Sequence, residues 1–317
     1  MGRRGERRRQ EPLTGNSRAI RRVVDQVHQA ALTQATVLIE GEPGTGKSMV
    51  ARAIHEAGPR RKERFVSVDC GTLMPAAVEG EIFGYEGGAG RGRRRGALER
   101  ADGGTLFLES VGELPAGVQL RLLRLLQDHS FERVGGAETV RADVRLIVST
   151  TADPGADVRA GRLREDLLRR LGAVRITMPP LRERREDIPL LVDALLTELN
   201  QQHGRKVTGL TRGALERLTR HDWPGNIREL RNTLESMVVS GEKRRSLDLS
   251  DLPPELRATK RAGENLDVAV GMTVEEVERR LILATLEHAG GEKTRAAAIL
   301  GIGLRTLYRK LERYGVR

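Results

Sequence analysis

The 317-residue sequence has one cysteine, Cys70, and no apolar run that approaches the length of a membrane span. A lone cysteine excludes an intrachain disulfide and suits a reducing cytoplasm, the expected location. Residues 1–10 are arginine-rich without a hydrophobic centre, so they do not read as a secretory signal, and residues 1–11 are expected to form a disordered basic arm. Acidic charge is short as well. The 44 Asp+Glu stand against 55 Lys+Arg, a formal net charge of +11, which suits a polyanionic partner such as nucleic acid but also an arginine-rich solvated surface. The length is enough for a sizeable core and for roughly two or three domains.

What is present is organised around residues 36–48. Thr36, Val37, Leu38 and Ile39 form a β-branched and apolar run that predicts a buried strand. Gly41, Gly46, Lys47 and Ser48 then fit G-x-x-x-x-G-K-[ST], with Glu42, Pro43, Gly44 and Thr45 between them and Met49 next. Val50, Ala51, Ala53 and Ile54 follow on one face of a helix. Strand, loop and helix in this order describe a phosphate cradle, in which backbone N–H groups and a helix N-terminus meet the phosphates of a nucleotide. Lys47 would reach the β- and γ-phosphates of ATP and the Ser48 hydroxyl would hold Mg²⁺. A glycine-rich turn that happens to carry a lysine is the competing reading.

Further strands are expected at residues 65–68, 105–108, 144–148 and 174–177, separated by helical stretches such as 118–127, with Val118, Leu122 and Leu125 on one stripe. Residues 13–32 carry Ile20, Val23, Val24, Val27 and Ala31 at helical spacing. Alternating strands and helices imply an α/β fold, a doubly wound and mainly parallel sheet with its ligand at the strand ends.

Several motifs occur in one order: Leu13-Thr14-Gly15, the phosphate loop, Glu81-Ile82-Phe83-Gly84-Tyr85-Glu86, and Gly103-Gly104-Thr105-Leu106-Phe107-Leu108. Phe131-Glu132-Arg133-Val134-Gly135-Gly136, Pro179-Pro180-Leu181-Arg182-Glu183-Arg184 and Trp223-Pro224-Gly225-Asn226-Ile227-Arg228-Glu229-Leu230 follow. Together they resemble the AAA+ domain of the sigma-54-dependent transcriptional activators, the bacterial enhancer-binding proteins, over nearly all of the chain past residue 12. The resemblance implies an AAA+ nucleotide-binding α/β subdomain at 12–178 and a helical lid at 179–240. It further implies a ring of subunits, ATP bound and hydrolysed between them, and remodelling of the sigma-54 RNA polymerase complex. Many members also carry an N-terminal sensory domain, and none is expected here.

In the lid, Ile188, Leu191, Leu195 and Leu199 trace one helix, Leu215 and Leu218 mark another, and Asn226 with Glu229 suggests the cap of a third. The resemblance makes Arg228, in the first turn of that helix, a sensor of the nucleotide's phosphates; an ordinary surface arginine is the alternative. It also makes Arg164 and Arg170 the arginine fingers reaching a neighbouring subunit. Arg162 and Arg169 lie close enough to be confused with them, and a basic helix face is the bland alternative.

Residues 241–271, with Lys243-Arg244-Arg245 and Pro253-Pro254, read as a linker. Beyond it Val274, Val277, Leu281 and Ala284 form a helix stripe, residues 294–300 an alanine-rich helix, Gly301-Ile302-Gly303 a turn, and Leu304, Leu307 and Leu311 the stripe of a third helix. This all-α helix-turn-helix at 272–317 resembles the Fis-type domain that ends many of these activators. Its second helix would enter the major groove of double-stranded DNA as part of a dimer, with Arg305, Thr306, Arg309 and Lys310 as candidate contacts. A small dimerising bundle without DNA is the other reading.

Four departures from the family pattern stand out. Glu109-Ser110 replaces the Asp-Glu of the family's Walker B motif, so Glu109 remains a candidate metal ligand and catalytic carboxylate while Ser110 is a hydroxyl without an evident base. Asp69 replaces the asparagine that reports to that glutamate. The loop that contacts sigma-54 in the family, Gly-Ala-Phe-Thr-Gly-Ala, is here Gly87-Gly88-Ala89 followed by Gly90-Arg91-Gly92-Arg93-Arg94-Arg95-Gly96, cationic and without the Phe-Thr pair. Thr151 stands where the first sensor has asparagine, with Thr150 kept. Two readings follow: a DNA-binding regulator in which nucleotide sets assembly and hydrolysis is weak, or an active ring ATPase that remodels sigma-54 holoenzyme.

Overall fold

The computed structural model describes residues 13–87, 92–241, 245–257 and 271–314. The basic arm, residues 88–91 of the cationic loop, and linker residues 242–244 and 258–270 lie outside the described residues. The chain divides into two compact units, Met1–Leu252 and Pro253–Arg317.

The first unit is built on a sheet of five strands, β1 (Val37–Glu40), β2 (Phe65–Asp69), β3 (Thr105–Glu109), β6 (Arg145–Thr150) and β7 (Val174–Thr177). They lie in the order β2-β3-β6-β1-β7 and every pair is parallel. Between β3 and β6 in sequence, β4 (Ser130–Glu132) and β5 (Thr139–Arg141) form a separate antiparallel ribbon, which no sequence pattern announced. A parallel sheet covered on both faces needs strands that are apolar throughout, and period-two alternation sorts their side chains. Leu38, Leu106, Leu108, Leu146 and Val148 pack on one side with Ile82, Phe83, Val118, Leu122, Leu167 and Leu171. Val37, Ile39, Phe107, Ile147 and Ile176 pack on the other with Ile20, Val23, Val27, Val50 and Ile54. The helices concerned are α1 (Arg18–Ala31) and α2 (Lys47–Ala57) on the second side, with α3 (Pro75–Phe83), α4 (Ala97–Arg100), α5 (Ala116–Asp128), α6 (Pro154–Arg159) and α7 (Glu165–Leu171) completing the α/β part. The order of strands reverses between β1 and β3, so the crevice at their C-terminal ends is where a ligand belongs.

The lid contains α8 (Ile188–His203), α9 (Arg212–Arg220) and α10 (Asn226–Ser240). Asp187, fully buried just before α8, accepts hydrogen bonds from the Asn16 and Ser17 N–H groups at 2.6 and 2.8 Å and from Ser17 Oγ at 2.6 Å. A Cβ on Gly15 would stand 2.7 Å from that carboxylate, which is why the Leu-Thr-Gly motif ends in glycine.

Two expectations are corrected here. The cap of α10 is not made by Asn226: Gly225 is the N-cap, its N–H donates to Glu229 Oε2 at 2.7 Å, and Asn226 takes a left-handed backbone with φ 54°. Part of the stretch read as linker is folded structure, because β9 (Ser246–Leu247) pairs in parallel with β8 (Gly209–Leu210). Leu247 and Leu252 are fully buried, and two leucines among charges are too sparse to show a period in sequence.

The second unit contains α11 (Pro254–Arg257), α12 (Val274–His288), α13 (Lys293–Leu300) and α14 (Leu304–Arg313). Its core is Ile282, Ala289, Ala296, Ala297, Leu307 and Leu311. The expected α12 stripe is thereby corrected: Val274 and Leu281 are exposed, and Ile282, Thr285 and Ala289 face inward, because α13 and α14 pack on that side. The turn between α13 and α14 depends on Gly301, whose φ of 66° favours glycine. No helix among the described residues is long and apolar enough to cross a membrane.

Candidate functional site

The loop between β1 and α2 turns on three glycines in positive φ, Gly41 at 156°, Gly44 at 77° and Gly46 at 101°. A Cβ on Gly44 would lie 2.3 Å from the Gly225 carbonyl of the lid, so only glycine fits between loop and lid. Thr45 is buried and its hydroxyl donates to the Glu42 carbonyl at 2.8 Å, which closes the loop on itself. Lys47, at the first turn of α2, is buried, and its Nζ donates to the Gly41 and Glu42 carbonyls at 2.7 and 3.0 Å. Burial pulls its pKa below the ordinary lysine value, the Glu109 charge opposes that, and the Arg228 charge adds to it. Ser48 Oγ donates to Glu109 Oε2 at 3.1 Å, joining two of the expected metal-side groups from different elements.

The lid is tied to the loop through Glu42 and Asn226. Arg182 grips Glu42 with both ends of its guanidinium, at 2.6 and 2.8 Å, and Asn226 Nδ2 donates to Glu42 Oε2 and to the Pro43 carbonyl, each at 3.1 Å. Asn226 Oδ1 accepts from the Leu181 N–H at 2.7 Å, and Ile227 N–H donates to the Gly44 carbonyl at 2.9 Å. The Arg182 hydrogen bond holds the Glu42 carboxyl below its usual range against the opposing effect of burial. Glu42 therefore works on the lid side of the loop, and Met49 points its side chain outward at 43% exposure.

A cavity of about 280 Å³ opens over the loop at the strand ends. Gly41, Pro43, Gly44, Lys47 and Arg228 line it from the loop and lid, and Asp69, Gly71, Glu109, Ser110, Glu113 and Thr150 line it from the ends of β2, β3 and β6. Asp69 and Glu109 are partners in the β2–β3 register, so the altered positions 69, 109 and 110 meet in one place. Ser110 follows β3 in a left-handed conformation, φ 60° and ψ 53°, and its N–H donates to Ser149 Oγ at 3.3 Å. The buried Thr150 hydroxyl has no hydrogen-bond partner among the described residues, which leaves a donor for a ligand oxygen or a water. Thr151 instead gives its hydroxyl to Asp157 Oδ2 at 2.7 Å. Burial raises the Asp157 pKa, but Thr151 and the Arg162 guanidinium, 2.5 Å away, outweigh it and leave it lowered.

The arginines separate. Arg162 lines the cavity of its own chain, whereas Arg164 is paired with Asp166 at 2.6 and 3.0 Å and Arg170 donates to the Leu126 carbonyl at 3.1 Å. Neither Arg164 nor Arg170 lines this cavity. Glu113, Gly71 and Asp157 escaped sequence reasoning because no period or motif marks them; only the neighbouring Asp69 and Ser110 hinted at the place. In the second unit Arg305 and Arg309 are exposed on α14 and Thr306 is half-buried. Lys310 is not free as expected, since it pairs with Glu278 Oε1 at 2.6 Å across the three-helix unit. Tyr308, 51% exposed between the two arginines, joins their face.

Three family matches cover the chain: the sigma-54 interaction domain over residues 13–177, the AAA+ ATPase lid domain over 182–268 and the bacterial regulatory protein Fis family over 273–314. The chain is 42% identical over 310 residues to the regulatory protein AtoC of Escherichia coli, covering 95% of this chain and 67% of that protein. It is 43% identical over 307 residues to the transcriptional regulatory protein ZraR of Escherichia coli, covering 95% and 68%. Among solved structures it is similar to NtrX from Brucella abortus in complex with ATP, at a TM-score of 0.74 and 34% identity, covering 96% of this chain and 70% of that one. The same protein in complex with ADP matches at a TM-score of 0.72 and 35% identity, covering 96% of this chain and 69% of that one.

Proposed function

We propose, for a chain that belongs to the family of sigma-54-dependent transcriptional regulators, that ATP bound at the loop 41–48 sets the state of assembly while hydrolysis stays slow and occupancy of DNA does the regulating. The observation that carries this reading is Ser110. It stands beside Glu109 at the cavity, and among the described residues no carboxylate or imidazole is hydrogen-bonded to its hydroxyl, so it cannot polarise a water as a carboxylate does.

The residues present fit a nucleotide with Mg²⁺. Lys47 offers a buried positive charge, the glycine turn would aim backbone donors at phosphate, and Thr150 offers a hydroxyl with no hydrogen-bond partner among the described residues. Ser48 and Glu109 present the hydroxyl and single carboxylate that Mg²⁺ accepts when phosphates and water supply its remaining ligands. The metal would neutralise charge on the phosphates; Lys47 and Arg228 would orient them. NtrX, solved with ATP and with ADP, supports this assignment. Arg164 and Arg170, which do not line the cavity of their own chain, would serve that of a neighbour in a ring. Exposed Val274 and Leu281 on α12 offer an apolar face for a dimer, and Arg305, Thr306 and Arg309 would meet duplex DNA.

One observation favours the second reading, an active ring ATPase that remodels sigma-54 holoenzyme. The base of the cationic loop is intact: Tyr85 and Arg94 exchange N–H···O bonds of 2.9 and 3.1 Å, and Arg133 holds three carboxylates beneath it. Steady-state ATP turnover at a protein concentration that allows assembly decides between the readings. Turnover is expected to be at least about a hundredfold below that of an active ring, and Ser110→Glu with Glu109→Asp and Asp69→Asn is expected to raise it. Fast turnover by the unaltered chain, or no gain on restoration, overturns the proposal.

A further inference from the structure

Four carboxylates line the cavity that Ser110 borders, and they are not equivalent: Asp157 is engaged by Thr151 and Arg162. Glu109 is engaged by Ser48. Glu113 is exposed to solvent. Asp69 is half-buried at the end of β2, in register with Glu109; its Oδ1 accepts from the Gly71 N–H at 3.0 Å, and no donor meets Oδ2 among the described residues. A Cβ added to Gly71 would stand 3.5 Å from Asp69 Oδ1, 3.8 Å from Ser110 Cβ and 3.8 Å from Glu113 Cγ. Asp69, Ser110 and the exposed Glu113 thus border one small region of the cavity, and Gly71 adds no side chain to it. Burial first, then the Asp69 and Glu109 charges, pushes the neighbouring Cys70 thiol up to about 12.

We infer that Asp69 supplies from β2 the carboxylate that Ser110 does not supply from β3, and holds the water that attacks the γ-phosphorus, with the Ser110 hydroxyl as that water's second partner. The inference rests on the reading that ATP occupies the cavity. In the step, the water oxygen bonds to phosphorus as the bond from phosphorus to the bridging oxygen breaks, and the electron pair leaves on ADP. The proton of the water passes to the Asp69 carboxylate and from there to the released phosphate, which restores the carboxylate. Asp69 is one methylene shorter than a glutamate and acts from the adjacent strand, so the step is slow but present.

The test uses the full chain and three measurements: ADP affinity by calorimetry, capture of ADP with aluminium fluoride, and single-turnover hydrolysis at saturating ATP. Asp69→Asn keeps an oxygen for the Gly71 N–H, and its ADP affinity should equal that of the unaltered chain. Its single-turnover rate should fall about a hundredfold, and capture of ADP with aluminium fluoride, which imitates the attacked phosphoryl group, should weaken about tenfold or more. Asp69→Glu should recover part of both. In a Ser110→Glu background the sign should change, because the introduced carboxylate then holds the water and Asp69 only adds like charge; there Asp69→Asn should leave the rate unchanged or raise it. An Asp69→Asn rate equal to or above that of the unaltered chain overturns the inference, as does a chain that binds ATP and never hydrolyses it. Absence of ADP and ATP binding in the unaltered chain overturns the reading of the cavity itself.

Discussion

Among the described residues Lys47 is a buried ammonium without a carboxylate partner of its own, satisfied by two loop carbonyls and facing the Glu109 charge across the cavity. Such a group is costly unless something anionic completes it. Removing the charge that would meet a phosphate is therefore expected to weaken ATP binding by about 3 kcal/mol or more, over a hundredfold, in Lys47→Ala. Calorimetric titration with ATP and Mg²⁺ measures this, and an unchanged affinity would sink the assignment of the loop. At the same scale Cys70 is inert: a thiol pushed up to about 12 by burial and two neighbouring carboxylates stays protonated at neutral pH and behaves as a small apolar side chain.

Among the elements, the base of the cationic loop shows how a few contacts over-determine a turn. Arg133, 2% exposed, takes Glu99 with both Nε and Nη2 at 3.0 Å and Glu86 and Glu138 with Nη1 at 2.8 and 3.0 Å. The Glu99 hydrogen bond above all raises its pKa, so it is charged at any working pH. Val134 N–H meanwhile donates to the Gly84 carbonyl and Glu86 N–H to the Val134 carbonyl, stitching the ribbon of β4 and β5 to the loop. Arg133→Met leaves three carboxylates facing one another without their cation. It should lower stability by about 3 kcal/mol, read as an earlier urea midpoint, since breaking a buried ion pair from one side leaves its charge uncompensated. Arg95→Ala, exposed and in no ion pair among the described residues, should change stability by no more than about 0.5 kcal/mol. Equal midpoints for the two variants would show that the cluster does not hold the loop.

For the molecule as a whole, an excess of 55 Lys+Arg over 44 Asp+Glu favours association with a polyanion. Much of that charge is already spent internally, as at Arg133, Arg182 and Arg184, and Arg184 is 2% exposed with Nη2 on the Thr45 carbonyl at 2.9 Å. The charge on α14 without an ion-pair partner among the described residues is Arg305 and Arg309, since Lys310 pairs with Glu278 and Arg313 with Glu275. A fragment from Met272 onward, which lies in the second compact unit, should bind duplex DNA as a dimer with affinity that falls steeply as salt rises. Arg309→Ala should reduce the salt slope by about 1 if it meets a phosphate, whereas Lys310→Ala should act on thermal stability and leave that slope nearly unaltered. A folded fragment that binds no duplex at low salt would overturn the DNA-binding assignment.

The phosphate loop, the five parallel strands and the helix-turn-helix were legible in the residues because their signals are local. The stretch from Gly41 to Ser48 carries the glycine and lysine pattern, and the central strands β1, β3 and β6 each carry a short apolar run whose backbone preference and burial agree. Register and side-chain partnership are not local. Arg133 meets Glu86 and Glu99 across 47 and 34 positions, and Asn226 meets Glu42 across 184, so neither spacing nor composition announces them. The α12 stripe shows the limit plainly: apolar spacing placed a helix there, but only the packing of α13 and α14 decided that Ile282 turns inward and Leu281 outward. Likewise Asp69 and Ser110 each read as a loss when taken one at a time along the chain. The parallel pairing of β2 with β3 brings them to one point beside Gly71, because hydrogen bonding between adjacent strands fixes which distant residues become neighbours.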